Sequence, residues 1–345
     1  MTSMDTQTRF RTGAVDMTHG GGGRAMTELI KDLFHRHLKN PILDQGHDAA
    51  VFDAPPGRLV MSTDAHVISP LFFPGGDIGA LSVHGTLNDI AMAGAKPLSL
   101  TASFILEEGF PLADLERIVM SMARTAREAG VPVVSGDTKV VEKGKGDGVF
   151  ITTAGVGVLP EGVTISPAAA KPGQAVLLSG TIGDHGVAIL SKRENLEFET
   201  ELRSDSAALH GLVADMIAAV PGIAVLRDPT RGGLATALNE IAHASGAGVL
   251  LQEEAIPVAP DVEGACELLG LDPLYVANEG KLVCICEAAD AGRLLEVMRS
   301  HPLGRQAARI GEIVEDPDHM VIMQTAFGGA RVVDWLSGEQ LPRIC

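Results

Sequence analysis

Between residues 160 and 173 the sequence reads PEGVTISPAAAKPG, with three prolines, two glycines and no regular apolar spacing. Proline removes a backbone donor and fixes φ, so neither a helix nor a central strand can run through this stretch. The chain is thereby cut into two parts, 17–165 and 166–335, each long enough to bury a core of its own. Both parts mix β-like runs with helices. In the first, Leu29, Ile30, Leu33, Phe34 and Leu38 fall at helical spacing over 26–38. A helix rich in small residues is expected over 78–93. Leu112, Leu115, Ile118, Val119 and Met122 mark another, ended by Gly130. Strands are expected at 49–52, 59–62, 131–134 and 149–159. In the second part they are expected at 175–179, 249–252 and 281–286, with helices over 234–244 and 289–299. The expected class is α+β or α/β in two domains. Residues 1–16 are polar and read as a disordered extension. Residues 336–345 lack periodicity, contain Gly338 and Pro342, and read as a mobile tail ending in LPRIC, where Cys345 has nothing to pack against.

Forty glycines and only 3% aromatic residues point to tight turns and to cores of Val, Leu, Ile and Ala. A net charge of −17 excludes a nucleic-acid partner, which needs clustered Lys and Arg. The apolar runs are too short to span a bilayer. Arg9 and Arg11 are followed by no apolar segment, so the N-terminus is not a signal peptide. Cys266, Cys284, Cys286 and Cys345 form no disulfide framework. A cytoplasmic protein with reduced thiols is expected. Cys284 and Cys286, two apart in KLVCICE, read as one buried strand face.

Four aspartates stand beside expected strands or helices: Asp48 in GHDAAVF, Asp64 in STDAHV, Asp89 in GTLNDIAMAG and Asp137 in VVSGDTK. Ligands in α/β proteins gather at strand ends. Four carboxylates converging there would repel one another unless a divalent cation lay between them. Oxygen donors of this kind suit Mg²⁺ or Ca²⁺ rather than zinc. Thr63, Asn88 and Thr138 flank the set. The plain alternative is that aspartate is common at turns and helix caps. RDPTRGGLATALNEI adds Asp228, Thr230 and Arg231, a planar cation suited to phosphate or carboxylate, with two glycines that permit close approach. The run HGGGG offers free backbone amides but lacks P-loop spacing.

In order along 19–283, HGGGGRAMTELI, STDAHVISPLFFPGGDIG, GTLNDIAMAGAKP, GDTKVVEKG, SGTIGDHGVAIL, RDPTRGGLATALNEIA and YVANEGKLV occur, followed by SHPLGRQAARIGE and the terminal PRIC. This series resembles the HypE family of hydrogenase-maturation carbamoyl dehydratases, within the aminoimidazole ribonucleotide synthetase and selenophosphate synthetase superfamily. The resemblance implies an N-terminal sheet that pairs across a homodimer, a C-terminal mixed sheet with helices, and ATP with Mg²⁺ between the domains. It further implies that a carbamoyltransferase, HypF, loads Cys345. ATP-dependent dehydration then gives a thiocyanate, and a HypC–HypD complex carries the cyanide onward to the iron of a [NiFe]-hydrogenase.

That chemistry requires Mg²⁺ on the polyphosphate, a cation near the transferred phosphoryl and a base near the amide nitrogen. Asp48, Asp64, Asp89 and Asp137 suit the metal. Asp48, Asp64, Asn88, Asp89, Asp137, Thr138, Asp228 and Arg231 are the expected ATP-binding set. Lys139, two residues after Asp137, and Glu279, with Asn278 as an orienting donor, both remain open as the base. Without the resemblance Lys139 reads as a surface ion pair and Glu279 as a turn carboxylate, and His66 and His185 as structural. About ten residues after Trp335, at ~3.3–3.6 Å each, reach roughly 30 Å, and Arg343 could offset the terminal carboxylate beside the thiol. Two other readings stay open: a synthetase or kinase acting on a free small molecule, and a nucleotide-binding scaffold without chemistry.

Overall fold

In the computed structural model, which describes residues 12–196, 202–338 and 343–345, the first half builds a four-stranded sheet. Its strands are β1 (Arg58–His66), β2 (Lys96–Glu107), β3 (Val133–Val141) and β4 (Val149–Leu159), in the order β1-β4-β2-β3. The first two ladders are antiparallel and the third is parallel. A parallel pair needs a long crossover. Here it is a helix over Leu112–Ala129, closed by the left-handed Gly130. Three helical stretches cover one face of the sheet: α1 (Arg24–Leu29), which continues through a π-turn to Leu38, α2 (Ile78–Met92) and α3 (Leu112–Ala129).

Alternation along the strands leaves the other face of the sheet open. Leu59, Met61, Thr63 and Ala65 point out from edge strand β1, beside Val158, Val156, Ala154 and Thr152 of β4. Leu59 is 58% and Met61 73% exposed. Asp137 and Lys139 lie on the same face at the far edge.

The second half forms a seven-stranded sheet from β5 (Ala175–Leu178), β6 (Val225–Arg227), β7 (Gly248–Gln252), β8 (Val283–Cys286), β9 (Ala308–Val314), β10 (Val321–Gln324) and β11 (Ala330–Val332). The order is β11-β10-β7-β9-β5-β8-β6, with only β10 and β7 parallel. Helices α4 (Asp184–Arg193), α5 (His210–Ala219), α6 (Gly233–Ser245), α7 (Pro260–Leu269) and α8 (Ala291–Ser300) accompany it. On one face α6 packs Leu234, Leu238 and Ile241 against Val176 and Ile285. On the other, α5 and α8 pack Leu212, Met216, Leu294 and Met298 against Leu177, Cys284 and Cys286. Burial on both faces is why VLL and VCIC read as unbroken apolar runs. Helix α2 lies between the domains. Asp77 caps it by accepting from the Gly79 and Ala80 N–H groups, and nearly every side is buried, which accounts for its small residues.

Several expectations need correcting. Residues 49–52 form no strand; Asp48 lies in an exposed loop, and β1 begins only at Arg58. Of the expected disordered extension, 1–11 lie outside the described residues. Residues 12–16 are ordered: the Val15 N–H donates to the Phe110 carbonyl, and Val15 is 1% exposed. The tail's Cys345 does pack. Residues 339–342 lie outside the described residues, but Ile344 is 4% exposed within the first domain's core and Cys345 is half-buried against it. Among the described residues no helix is long and apolar enough to cross a membrane.

Candidate active site

The junction of the domains gathers the end of β1, the last turn of α2, the loop after β6, the loop before β8, a strap over 202–209 and the chain's terminus. Asn278 ties the two loops together. Its side-chain amide donates to the carbonyls of Pro229 (2.9 Å) and Val276 (3.1 Å), and its carbonyl accepts from the Gly183 N–H (2.8 Å). It thus orients the backbone of the loop that carries Glu279. Gly233, at φ +61°, brings the RDPTRGG loop so close that a Cβ would stand 2.5 Å from the Leu274 carbonyl oxygen.

The strap is fixed as tightly. Asp205 accepts from the N–H groups of Glu279 (3.0 Å) and Gly280 (3.3 Å) and from Lys281 Nζ (3.0 Å). Only glycine fits at 280, because a Cβ there would lie 1.9 Å from the Asp205 carbonyl oxygen. Asn88, expected at the nucleotide, is instead spent on this strap. Its Nδ2 donates to the carbonyls of Ala207 (3.0 Å) and Glu279 (3.2 Å), and its Oδ1 accepts from the Leu209 N–H (2.8 Å).

These contacts bring together Asp64, Asp89, Asp228 and Glu279, near enough for their charges to act on one another. Burial, and then the neighbouring carboxylates Asp205, Asp228 and Asp64, raise the Glu279 carboxyl well above its usual range, and Arg231 only partly offsets them. Burial and Asp89 push Asp228 up to about 7. Burial also raises Asp89, although Ser62 Oγ donates to it at 2.6 Å. Burial would raise Asp64 too, but His66, the Ala65 N–H and Arg231 together hold it below its usual value. His66 Nε2 stands 3.2 Å from Asp64 Oδ2. Glu279 Oε1 is buried with no hydrogen-bond partner among the described residues. A buried carboxyl with a free oxygen is poised for a ligand.

The expected four-aspartate set is divided. Asp64 points to the helix-covered face of the sheet, Asp137 to the open face, and three strand spacings, about 14 Å, separate their strands. Asp137 is 55% exposed and pairs with Lys139 Nζ at 2.8 Å, the surface ion pair that was the plain alternative. Thr138 points inward and, with Phe34 and Leu38, lines a cavity of about 130 Å³ beneath the first helices. Thr63 faces out, its hydroxyl on the Thr153 carbonyl. Among the described residues no group of three or more His, Cys, Asp or Glu is arranged to hold a metal by itself.

The terminus is held by its backbone. The Val67 N–H donates to a carboxylate oxygen of Cys345 (3.0 Å) and the Ser69 N–H to the Arg343 carbonyl (3.2 Å). Arg193 spans Ser69 and Arg343, donating to both carbonyls. His185 Nε2 lies 2.8 Å from the Ile344 carbonyl, so that nitrogen carries the proton and Nδ1 accepts from Ser204 Oγ (2.8 Å). Burial lowers the proton affinity of His185, keeping it neutral. Arg343 pairs with Asp147 rather than offsetting the terminal carboxylate. Burial, with Glu279 and Asp64 adding and Arg231 opposing, pushes the Cys345 thiol up to about 12. Asp205, Ser204 and Arg193 carry no sequence motif. Only the run of polar residues RSDS in an aperiodic segment could have drawn attention to the strap.

Known proteins supply the remaining comparison. Residues 46–159 match the family AIR synthase related protein, N-terminal domain, and residues 171–324 match its C-terminal domain. The carbamoyl dehydratase HypE of Cupriavidus necator is 72% identical over 337 residues, 97% of this chain and 96% of that protein. A crystal structure of the hydrogenase maturation protein HypE in complex with ATP is 51% identical, with a TM-score of 0.92 over 95% of this chain and 99% of that one. A HypE–HypF complex is 50% identical, with a TM-score of 0.79 over 89% and 99%. With identity of this degree across nearly its whole length, the chain belongs to the HypE family of carbamoyl dehydratases.

Proposed function

We propose that the protein dehydrates a carbamoyl group carried on its own Cys345, using ATP, to give a thiocyanate that supplies cyanide for the iron of a [NiFe]-hydrogenase. The observation that carries this reading is the placement of the terminal thiol beside Glu279, Arg231 and Asp64 at the junction of the domains. The balance is R–S–C(O)NH₂ + ATP⁴⁻ → R–S–C≡N + ADP³⁻ + HPO₄²⁻ + H⁺, the carbamoyl oxygen leaving on phosphate. An amide does not expel hydroxide, so its oxygen must first become a phosphate ester.

Glu279 is the group this reading assigns to take a proton from nitrogen, since its charge acts on the thiol while Lys139 stands on the open face within the same chain. Arg231 is the cation placed to face the transferred phosphoryl, and Asp228 stands beside it in the same loop. The donor set of Asp64, Asp89 and Asp228 fits a cation with oxygen ligands, because two of these carboxyls hold protons too tightly for want of positive charge. Mg²⁺ commonly takes one or two carboxylates and completes its shell with substrate phosphates, whose charge it neutralises.

A thiol raised to about 12 is a poor nucleophile, so loading must happen with the tail out of this seat. A HypF-like carbamoyltransferase is the partner proposed for loading, by analogy with the HypE–HypF complex, and a HypC–HypD-like carrier for the product. A homodimer through the open sheet face is proposed on the exposure of Leu59 and Met61. Mass spectrometry of the C-terminal peptide tests the central claim. After carbamoylation of Cys345, adding ATP should remove the mass of one water, and an unchanged peptide would overturn it.

A further inference from the structure

Most of what holds the last three residues is addressed to main-chain oxygens or to one apolar side chain. The carbonyls of Arg343 and Ile344 and a carboxylate oxygen of Cys345 each accept a hydrogen bond, from Ser69 and Arg193, from His185, and from Val67 respectively. Ile344 fills the core of the first domain at 4% exposure. Arg343 adds an ion pair to Asp147. The groups that make this seat are themselves fixed: Ser204 holds His185, the Ser204 N–H donates to the Pro74 carbonyl (2.9 Å), and Arg193 is held on Ser69. The seat is therefore a preformed peptide groove. It recognises a short C-terminal segment whose backbone bends at Arg343 (φ +56°) and which carries one apolar residue before the cysteine.

We infer that this groove accepts a separate peptide ending in Arg-Ile-Cys, and that the protein dehydrates an S-carbamoylated cysteine presented in trans. The inference rests on the proposed dehydratase reading and adds a substrate class to it: S-carbamoyl peptides with a C-terminal cysteine. The step balances as above, with the peptide in the place of the tail. Its carbamoyl oxygen leaves on phosphate, its two nitrogen-bound protons end on phosphate and in solution, and ATP is the co-reactant.

Removing Arg343, Ile344 and Cys345 empties the groove, and the S-carbamoylated peptide Leu-Pro-Arg-Ile-Cys is then the probe. With ATP, the shortened protein should convert the peptide to one lighter by a water. The Cys345→Ser protein, whose own tail competes, should do so more slowly at equal peptide concentration. A peptide with Asp in place of Ile should react about tenfold more slowly or worse, because burying that side chain is worth that much. If the shortened protein fails to fold, the Cys345→Ser protein at increasing peptide concentration gives the same answer by saturation. The inference is overturned if the peptide stays intact in both proteins while the full-length protein, carbamoylated on Cys345, loses water with ATP. If the full-length protein also fails, the dehydratase reading itself falls.

Discussion

At the scale of a single residue the proposed chemistry turns on Glu279. Its carboxyl is buried, one oxygen is unpartnered, and three carboxylates surround it. Its carboxyl therefore keeps its proton to higher pH than an ordinary carboxylate until positive charge arrives. Its deprotonated form is the one that can accept a proton from nitrogen, so single-turnover dehydration should rise with pH, with a midpoint above the usual carboxylate range. Glu279→Gln should lower the rate by roughly 10²–10⁴-fold while leaving Ile344 seated; rapid-quench mass spectrometry reads the rate, and alkylation of uncarbamoylated Cys345 reads the seating. Asp228 is the other costly group. Its carboxyl ionises at about 3.8 when unfolded and about 7 when folded, so the folded state binds the extra proton. Stability from this residue is full below 3.8, falls as pH rises through the interval to about 7, and stays low above it. Asp228→Asn should then raise Tm at pH 8 by a few degrees in ligand-free protein, and give no gain near pH 4. Scanning calorimetry at the two pH values decides it. Asp64, Asp89, Asp228 and Arg231 could be picked out in the sequence because each sits in a motif. Asp205 could not, since nothing in RSDS signals that its carboxylate collects three donors from a loop some 75 residues away.

At the scale of elements the legible parts were those with strong periodicity. Helix α3 shows its apolar stripe and its closing Gly130 in sequence, and strand β4 shows its β-branched run. Strand β2, which begins KPLSL, carries a legible alternation of Leu100, Ala102, Phe104 and Leu106 inward with Thr101, Ser103 and Ile105 outward, although it is not among the strands expected above, while the short helices of the second half span too few turns for a stripe to stand out. The tail was opaque for another reason: three residues that dock through backbone hydrogen bonds carry no pattern. Its seat nonetheless makes a sharp prediction. Placing a charge at Ile344 removes about 1.5–3 kcal/mol of apolar burial and adds a desolvated carboxylate. Ile344→Asp should therefore shift the tail outward. Alkylation of Cys345 by iodoacetamide should then quicken at least tenfold, while ATP-dependent dehydration of the carbamoylated form falls. Unchanged alkylation would mean that the seat does not control the thiol.

At the scale of the whole molecule, the two domains divide the work. The second sheet is covered on both faces and serves as a rigid wall for the 228–232 and 276–280 loops. The first sheet is covered on one face only, and the bare face is graded. Leu59, Met61, Val156 and Val158 lie at the β1 side, Thr101, Ser103 and Ile105 in the middle, and Asp137 with Lys139 at the other edge. An apolar strip beside an unpaired edge strand is a template for association. A second copy is the partner proposed for it, since two-fold pairing would meet the strip with the same strip. Such pairing would cover the apolar end of the face and keep the polar end near the contact. The ion pair Asp137–Lys139, distant from Glu279 within one chain, would then belong to the neighbourhood of the interface. Met61→Lys places a charge in the middle of the strip, on a residue that is 73% exposed in the single chain, so the fold itself should be unaffected. Sedimentation velocity should show the unaltered protein as a dimer and Met61→Lys as a monomer, with thermal unfolding of the isolated chain unchanged. A monomer in both cases would leave the open face without the role assigned to it.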